Sequence, residues 1–192
     1  ARKEGNKYIL NGTKHFFNDA GEAEIYTVIA LTDKSKGIRG ASAFIVEKGT
    51  KGMEFGKKEK KMGIRASATR EVIFTDCEIP AENLISREGM GFIVAMKTLD
   101  TSRPGAAAQA VGIAQGALDC ALEYSRTRVQ FGAPISSFQA VQHMLADMGT
   151  QVEAARALAY SVARLVDSGA KSVSKEAAMA KLFASDVAMK VA

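Results

Sequence analysis

The chain has 192 residues, 47% of them hydrophobic and 24% charged, with a net charge of +5 and no tryptophan. That length is enough for one or two domains with a real core, and the composition is that of an ordinary globular chain. No run of about 18 apolar residues occurs, which predicts no membrane span, and the polar start Ala1-Arg2-Lys3-Glu4-Gly5 shows no targeting segment.

Residues 1–82 read as β structure. Tyr8-Ile9-Leu10 predicts a strand, and Asn11-Gly12, a dipeptide tolerant of positive φ, predicts a tight hairpin turn after it. Ile25 to Leu31 is rich in β-branched and aromatic residues and ends in the polar stretch Asp33 to Gly37. Further strands are expected over Ala41–Val46, Met53–Glu59 and Glu71–Ile79, the last of them stopping at Pro80. Short strands with Gly-containing loops point to an antiparallel barrel or sandwich.

Residues 83–192 change to a helical period. A first helix is expected from Met90 to Arg128, broken near Arg103-Pro104 because proline cannot continue the ladder, with Asp100-Thr101-Ser102 serving as the new start. Small residues crowd it, and interior Gly112 and Gly116 each cost about 1 kcal/mol relative to alanine, so a close neighbour is expected there. A second helix should begin at Ser136-Ser137 and carry the seam Phe138, Val141, Leu145, Met148, Val152, Ala155, Ala159 and Val162, stopping at Gly169. A third should start at Ser172 or Ser174, with Glu176 in its first turn, and run to the end. The fold class is therefore α+β: an antiparallel β domain (1–82) followed by an antiparallel helical bundle (83–192).

The run Lys57-Lys58-Glu59-Lys60-Lys61 invites a nucleic-acid reading. Acids are spread through the same chain and no aromatics interleave the run to stack on bases, so a solvated turn is the expectation and nucleic acid is not expected as a partner. Cys77 and Cys120 lack metal spacing and read as small buried hydrophobes. His15 and His143 have no partners at metal or triad spacing, and no metal site is expected.

Two segments carry a resemblance. Arg128-Val129-Gln130-Phe131-Gly132, where the first helix runs out, and Asp100-Thr101-Ser102-Arg103-Pro104 upstream are together similar to segments of the acyl-CoA dehydrogenase family of flavoproteins, nearest its short-chain, butyryl-CoA type. The resemblance covers essentially the whole chain, while the chain covers only the middle of the family. It implies that Arg128, Val129, Gln130 and Phe131, with Phe138 and Gln139 nearby, contact FAD, the arginine fork meeting the pyrophosphate of a neighbouring subunit. On dipole grounds alone, a cation at a helix C-terminus would also be favourable there. By the same resemblance Asp100, Thr101, Ser102 and Arg103 line the acyl-CoA pocket, and Phe92, Met96 and Leu99 are either pocket wall or packing. Phe16, Phe17 and Asn18 fall where the family reads Trp-Ile-Thr against the flavin, so an aromatic face and a hydrogen-bond donor survive with altered identity. The loop Met62 to Ser67 also matches the family.

Some members place a glutamate base just before the pocket arginine. Ser102 stands there, so no catalytic residue is expected within these residues, and the general-base Glu is expected beyond Ala192. The resemblance implies FAD-dependent dehydrogenation of a short-chain or related acyl-CoA between its α and β carbons, with electrons passed to an electron-transferring flavoprotein. It implies a homo-oligomer, a tetramer or alternatively a dimer, and a cytoplasmic location in a bacterium or the mitochondrial matrix in a eukaryote. The competing readings are the enoyl-CoA reductase direction of the same chemistry and a non-enzymatic basic module that binds polyanions.

Overall fold

The computed structural model describes all residues, Ala1–Ala192. The chain divides into two compact units, Ala1–Met96 and Lys97–Ala192.

The first unit holds two open antiparallel sheets and no closed barrel. One has the order β1 (Arg2–Glu4), β2 (Lys7–Asn18), β6 (Thr69–Pro80), β5 (Met53–Phe55); the other has β3 (Ile25–Leu31), β4 (Ala41–Glu47), β7 (Leu84–Ile85). Inward residues of both sheets share one core, including Tyr8, Leu10, Tyr26, Val28, Phe44, Val46, Val72, Phe74 and Ile79. This is sandwich packing, in which alternate side chains of each strand face the other sheet. Residues 84–91 stay with this unit through β7, which pairs with β4, and through two polar ties. Tyr8 Oη donates to Glu88 Oε1 at 2.5 Å, and Gly89 N–H donates to the buried Ser42 hydroxyl at 3.0 Å.

The hairpin expected at Asn11-Gly12 does not form. β2 runs straight through both residues, and the left-handed tolerance of the dipeptide is used by a bulge. Leu10 pairs with Cys77 but Gly12 with Phe74, so β6 carries the extra residue; further on, Lys14 pairs with Val72 but Phe17 with Arg70, so β2 carries it. The two bulges have opposite sense and cancel, which restores the register at Asn18↔Thr69. The strand expected over Met53–Glu59 stops at Phe55, and the lysine run beyond it is irregular and largely exposed.

The second unit is built on the part of α1 (Gly91–Thr127) from Lys97 onward, α2 (Gln139–Asp167) and α3 (Ser174–Val191). The expected break at Arg103-Pro104 is absent: α1 is continuous with Pro104 inside it. Pro104 removes one ladder bond, but Ala107, Ala110, Val111, Ala114 and Leu118 on the following turns bury their side chains in the bundle core, and that packing outweighs local propensity. The α2 seam forms as expected from Leu145 onward, with Val152, Ala155, Ala159 and Val162 buried and Leu145 and Met148 packed alongside, whereas Val141 lies outside the core and Phe138 precedes the helix. Arg156 Nη2 meets Gln115 Oε1 at 2.5 Å while Gly149 faces Leu118, so α2 runs antiparallel to α1.

Helix ends differ from expectation at one of three places. Ser136 and Ser137 sit in a separate 3₁₀ turn, Ile135–Ser137, and Phe138 takes the N-cap position of α2 without a side-chain bond. The third helix starts at Ser174, one of the two expected places, with Glu176 in its first turn and Val173 in the N-cap position. The stop at Gly169 is as read. With Gly169 at φ 72, its N–H donates to the Val166 carbonyl and that of Ala170 to the Leu165 carbonyl, a Schellman pair. Cys77 is buried as expected, whereas Cys120 is exposed on α1 because it lies off the face that α2 and α3 cover. No helix is long and apolar enough to cross a membrane.

Candidate functional site

Arg128 follows the last residue of α1, where the helix gives way to a two-stranded hairpin, β8 (Val129–Gln130) and β9 (Ala133–Pro134). The Ile135 N–H donates to the Arg128 carbonyl at 2.8 Å and closes the hairpin base. Phe131 and Gly132 form the tight turn, at φ 52 and φ 80, the signature of a two-residue turn with both central residues left-handed. Glycine adopts that conformation freely, but for a bulky residue it is strained. Phe131 is nevertheless 95% exposed, so no burial compensates for the strain. An exposed bulky residue kept in that conformation is a candidate for a functional role. The Phe131 ring meets Phe138 edge-on at 6.2 Å. The Arg128 side chain is exposed and has no carboxylate partner. Gln139 opens α2 directly after Phe138. The hairpin and the start of α2 thus carry Arg128, Val129, Gln130, Phe131, Phe138 and Gln139 on one short stretch of chain. The hairpin itself was missed in the sequence, although Phe-Gly before Ala-Pro was a turn signal.

Asp100, Thr101, Ser102 and Arg103 lie within α1 rather than at a helix start. Thr101 Oγ1 donates to the Thr98 carbonyl at 3.0 Å, and Ser102 Oγ to the Leu99 carbonyl at 3.4 Å. These hydroxyls bond back to their own helix, as serine and threonine do in helix interiors, and neither caps. Asp100 has two partners: its Oδ2 accepts from Ser174 Oγ at 2.5 Å, and its Oδ1 lies 3.8 Å from Arg103 Nη1.

In the first unit, the second bulge of β2 separates three neighbouring side chains. Phe16, at φ 51, is thrown out of the sheet and is 75% exposed. Phe17 turns towards the core and packs edge-on against Tyr26 at 5.7 Å. Asn18 Oδ1 accepts from Thr69 Oγ1 at 3.4 Å, which leaves its amide group free to donate outward. His15, beside the bulge, pairs with Glu71 at 2.9 Å, a structural contact on an exposed surface. The loop Met62–Ser67 is tied to the same end of β2 by Ser67 Oγ, which donates to Asp19 Oδ1 at 2.7 Å.

A separate open cleft of about 440 Å³ is lined by Leu10, Gly12, Val28, Leu31, Phe74 and Phe92, among others. It includes Phe92 from the start of α1, whereas Leu99, two turns on, is 38% exposed. No group of three His, Cys, Asp or Glu side chains is placed to hold a metal ion.

Comparison with known proteins defines the class. Residues 1–77 match the family model "Acyl-CoA dehydrogenase, middle domain", and residues 89–192 match "Acyl-CoA dehydrogenase, C-terminal domain". The chain belongs to the acyl-CoA dehydrogenase family. It is 53% identical over 190 residues to the short-chain specific acyl-CoA dehydrogenase of Megasphaera elsdenii, covering 99% of this chain and 49% of that protein. The solved structure of butyryl-CoA dehydrogenase from the same organism superposes with a TM-score of 0.96 at 53% identity, over 99% of this chain and 50% of the other. A chain in the structure described as the electron transferring flavoprotein of Acidaminococcus fermentans gives a TM-score of 0.95 at 58% identity, over 99% and 50%. The chain thus spans about half the length of the relatives it matches.

Proposed function

We propose that this protein is an FAD-dependent enzyme that dehydrogenates a short-chain acyl-CoA between its α and β carbons and passes the electrons to an electron-transferring flavoprotein. The observation that carries the reading is the 53% identity, over 99% of the chain, to a short-chain specific acyl-CoA dehydrogenase. The likeness to a chain in the Acidaminococcus fermentans electron-transferring flavoprotein structure supports the electron partner.

The residues present suit FAD. An exposed guanidinium without a carboxylate partner suits a pyrophosphate, because its planar fork engages two oxygens at once. The outward faces of Phe131 and Phe16 suit flat aromatic ligand groups. Bound FAD supplies the hydride acceptor for the β hydrogen. In this reading Arg128 anchors the pyrophosphate of a neighbouring subunit's nucleotide, with Val129, Gln130, Phe131, Phe138 and Gln139 around it. Phe16 lies against the flavin ring and Asn18 presents an amide donor beside it, while Phe17 holds the strand to the core. Asp100, Thr101, Ser102 and Arg103 line the acyl-CoA pocket. The Ser102 hydroxyl, bonded to its own helix, is no base for the α proton. That role falls to a carboxylate supplied from elsewhere in the enzyme.

A homo-oligomer, a tetramer in this reading, follows from the shared nucleotide site. Two further observations support it. A Cβ added at Gly112 or Gly116 would meet nothing within 4 Å, so the neighbour expected at these costly glycines is not in this chain. Ile113, Met144 and Leu182 also stand more than half exposed on the helices.

The test is Arg128→Ala in the intact enzyme. Flavin absorbance retained after dialysis should fall at least severalfold, with Arg128→Lys in between because it keeps the charge and loses the fork. Equal flavin retention in all three proteins would overturn the assignment.

A further inference from the structure

The pocket turn of α1 is tied to another helix through a single side chain. Ser174, the first residue of α3, donates its hydroxyl to Asp100 Oδ2 at 2.5 Å across 74 residues of sequence. A serine at a helix start ordinarily caps it, but Val173 holds the cap position here and the Ser174 hydroxyl is directed to Asp100. The other carboxylate oxygen, Oδ1, faces Arg103 Nη1 at 3.8 Å. Each oxygen of Asp100 therefore has its own partner, and the positive end of α3 favours the carboxylate between them. The Asp100 and Arg103 side chains are 20% and 31% exposed, so solvent screens the pair only in part.

The backbone makes this tie consequential. Pro104 has no N–H to donate to the Asp100 carbonyl, so the ladder loses a bond at the residue whose side chain reaches α3. Arg103 is a long, flexible side chain, and the carboxylate that orients it would itself be free to rotate without Ser174. The order of control runs from Ser174 to Asp100 to Arg103.

We propose that Ser174 is a positioning residue for the acyl-CoA pocket: it fixes the Asp100 carboxylate, which fixes the Arg103 guanidinium, so that the start of α3 sets the affinity for the thioester substrate. This rests on the function proposed above, in which Asp100 and Arg103 line that pocket. Ser174 touches no substrate and acts through the other two.

The experiment uses the intact flavin-loaded enzyme with butyryl-CoA as the probe. Ser174→Ala should raise KM by about threefold to tenfold, the worth of one partly screened hydrogen bond to a charged group, with kcat within about twofold of wild type. Ser174→Thr keeps the hydroxyl and should restore KM; Ser174→Val has the shape of threonine without the hydroxyl and should not. In an Asp100→Asn background the Ser174→Ala effect on KM should shrink, because the charge it orients is gone. A lowered melting temperature with KM unchanged in Ser174→Ala, or equal KM in the threonine and valine variants, overturns the proposal and leaves the enzyme assignment standing. If the alanine variant fails to accumulate, the threonine and valine pair decides alone. Wild-type enzyme that retains no flavin and does not oxidise butyryl-CoA would instead overturn the function on which the proposal rests.

Discussion

Asn11 and Asp76 clamp each other across β2 and β6. Asn11 Nδ2 donates to Asp76 Oδ1 at 3.0 Å, and the Asp76 N–H donates back to Asn11 Oδ1 at 2.8 Å. Asp76 sits at φ 45 in the first bulge, a left-handed conformation that residues other than glycine adopt seldom, and aspartate and asparagine chiefly where a local hydrogen bond supports them. The clamp supplies that bond. Asn11→Ala should therefore destabilise the protein by about 1–2 kcal/mol, the net worth of two solvent-accessible hydrogen bonds, with no change in denaturant slope. Urea unfolding followed by circular dichroism measures it, and a change below about 0.3 kcal/mol would show the clamp to be idle.

Phe16 and Phe17 should separate function from stability although they are adjacent. Phe16 is 75% exposed, and its replacement by alanine should leave stability within about 0.5 kcal/mol while lowering flavin occupancy. Phe17→Ala removes an edge-on contact with Tyr26 and should cost about 2 kcal/mol, less than the roughly 3–5 kcal/mol typical of a fully buried ring. Paired flavin titrations and denaturation curves on the two variants check this. Equal occupancy in wild type and Phe16→Ala would remove Phe16 from the site.

Tyr8 gives the β unit an alkaline limit. Burial, reinforced by the hydrogen bond to Glu88 and its charge, pushes the Tyr8 phenol up from 10 to about 12. The folded protein holds this proton more tightly than the unfolded chain. Its contribution to stability is therefore complete below pH 10 and is lost as the pH climbs through 12. Tyr8→Phe removes the titrating group, so the stability difference between wild type and variant should narrow across that window. A difference that stays constant there, measured by urea unfolding at successive pH values, would rule out this linkage.

The elements that were legible in the sequence are those set by periodic burial. The seam of α2 from Leu145 to Val162 and the Gly169 stop could be read because 3.6-residue spacing and a C-terminal glycine are both local signals. Asn11-Gly12 misled because hairpin turns and bulges draw on the same freedom at positive φ, and only the partner strand tells them apart. Pro104 misled because the burial of Ala107, Val111 and Ala114 that carries α1 through it is a tertiary effect. Of the candidate site, Arg128, Phe131 and Asp100 could be read through the family resemblance of their two segments. The outward throw of Phe16 against the inward turn of Phe17 could not, because it depends on a bulge. Nor could the partnership of Asp100 with Ser174, since nothing local joins positions 74 residues apart.

The paired bulges carry a lesson for anyone re-engineering this sheet. Deleting Phe16 alone would set Lys14, His15 and Phe17 opposite Val72, Glu71 and Arg70 in an unbroken ladder without the protruding ring, every other pairing of β2 and β6 being kept. Deleting Asp76 alone would likewise set Leu10, Asn11 and Gly12 opposite Cys77, Thr75 and Phe74. Each irregularity is thus removable by the loss of a single codon, and neither deletion requires the other.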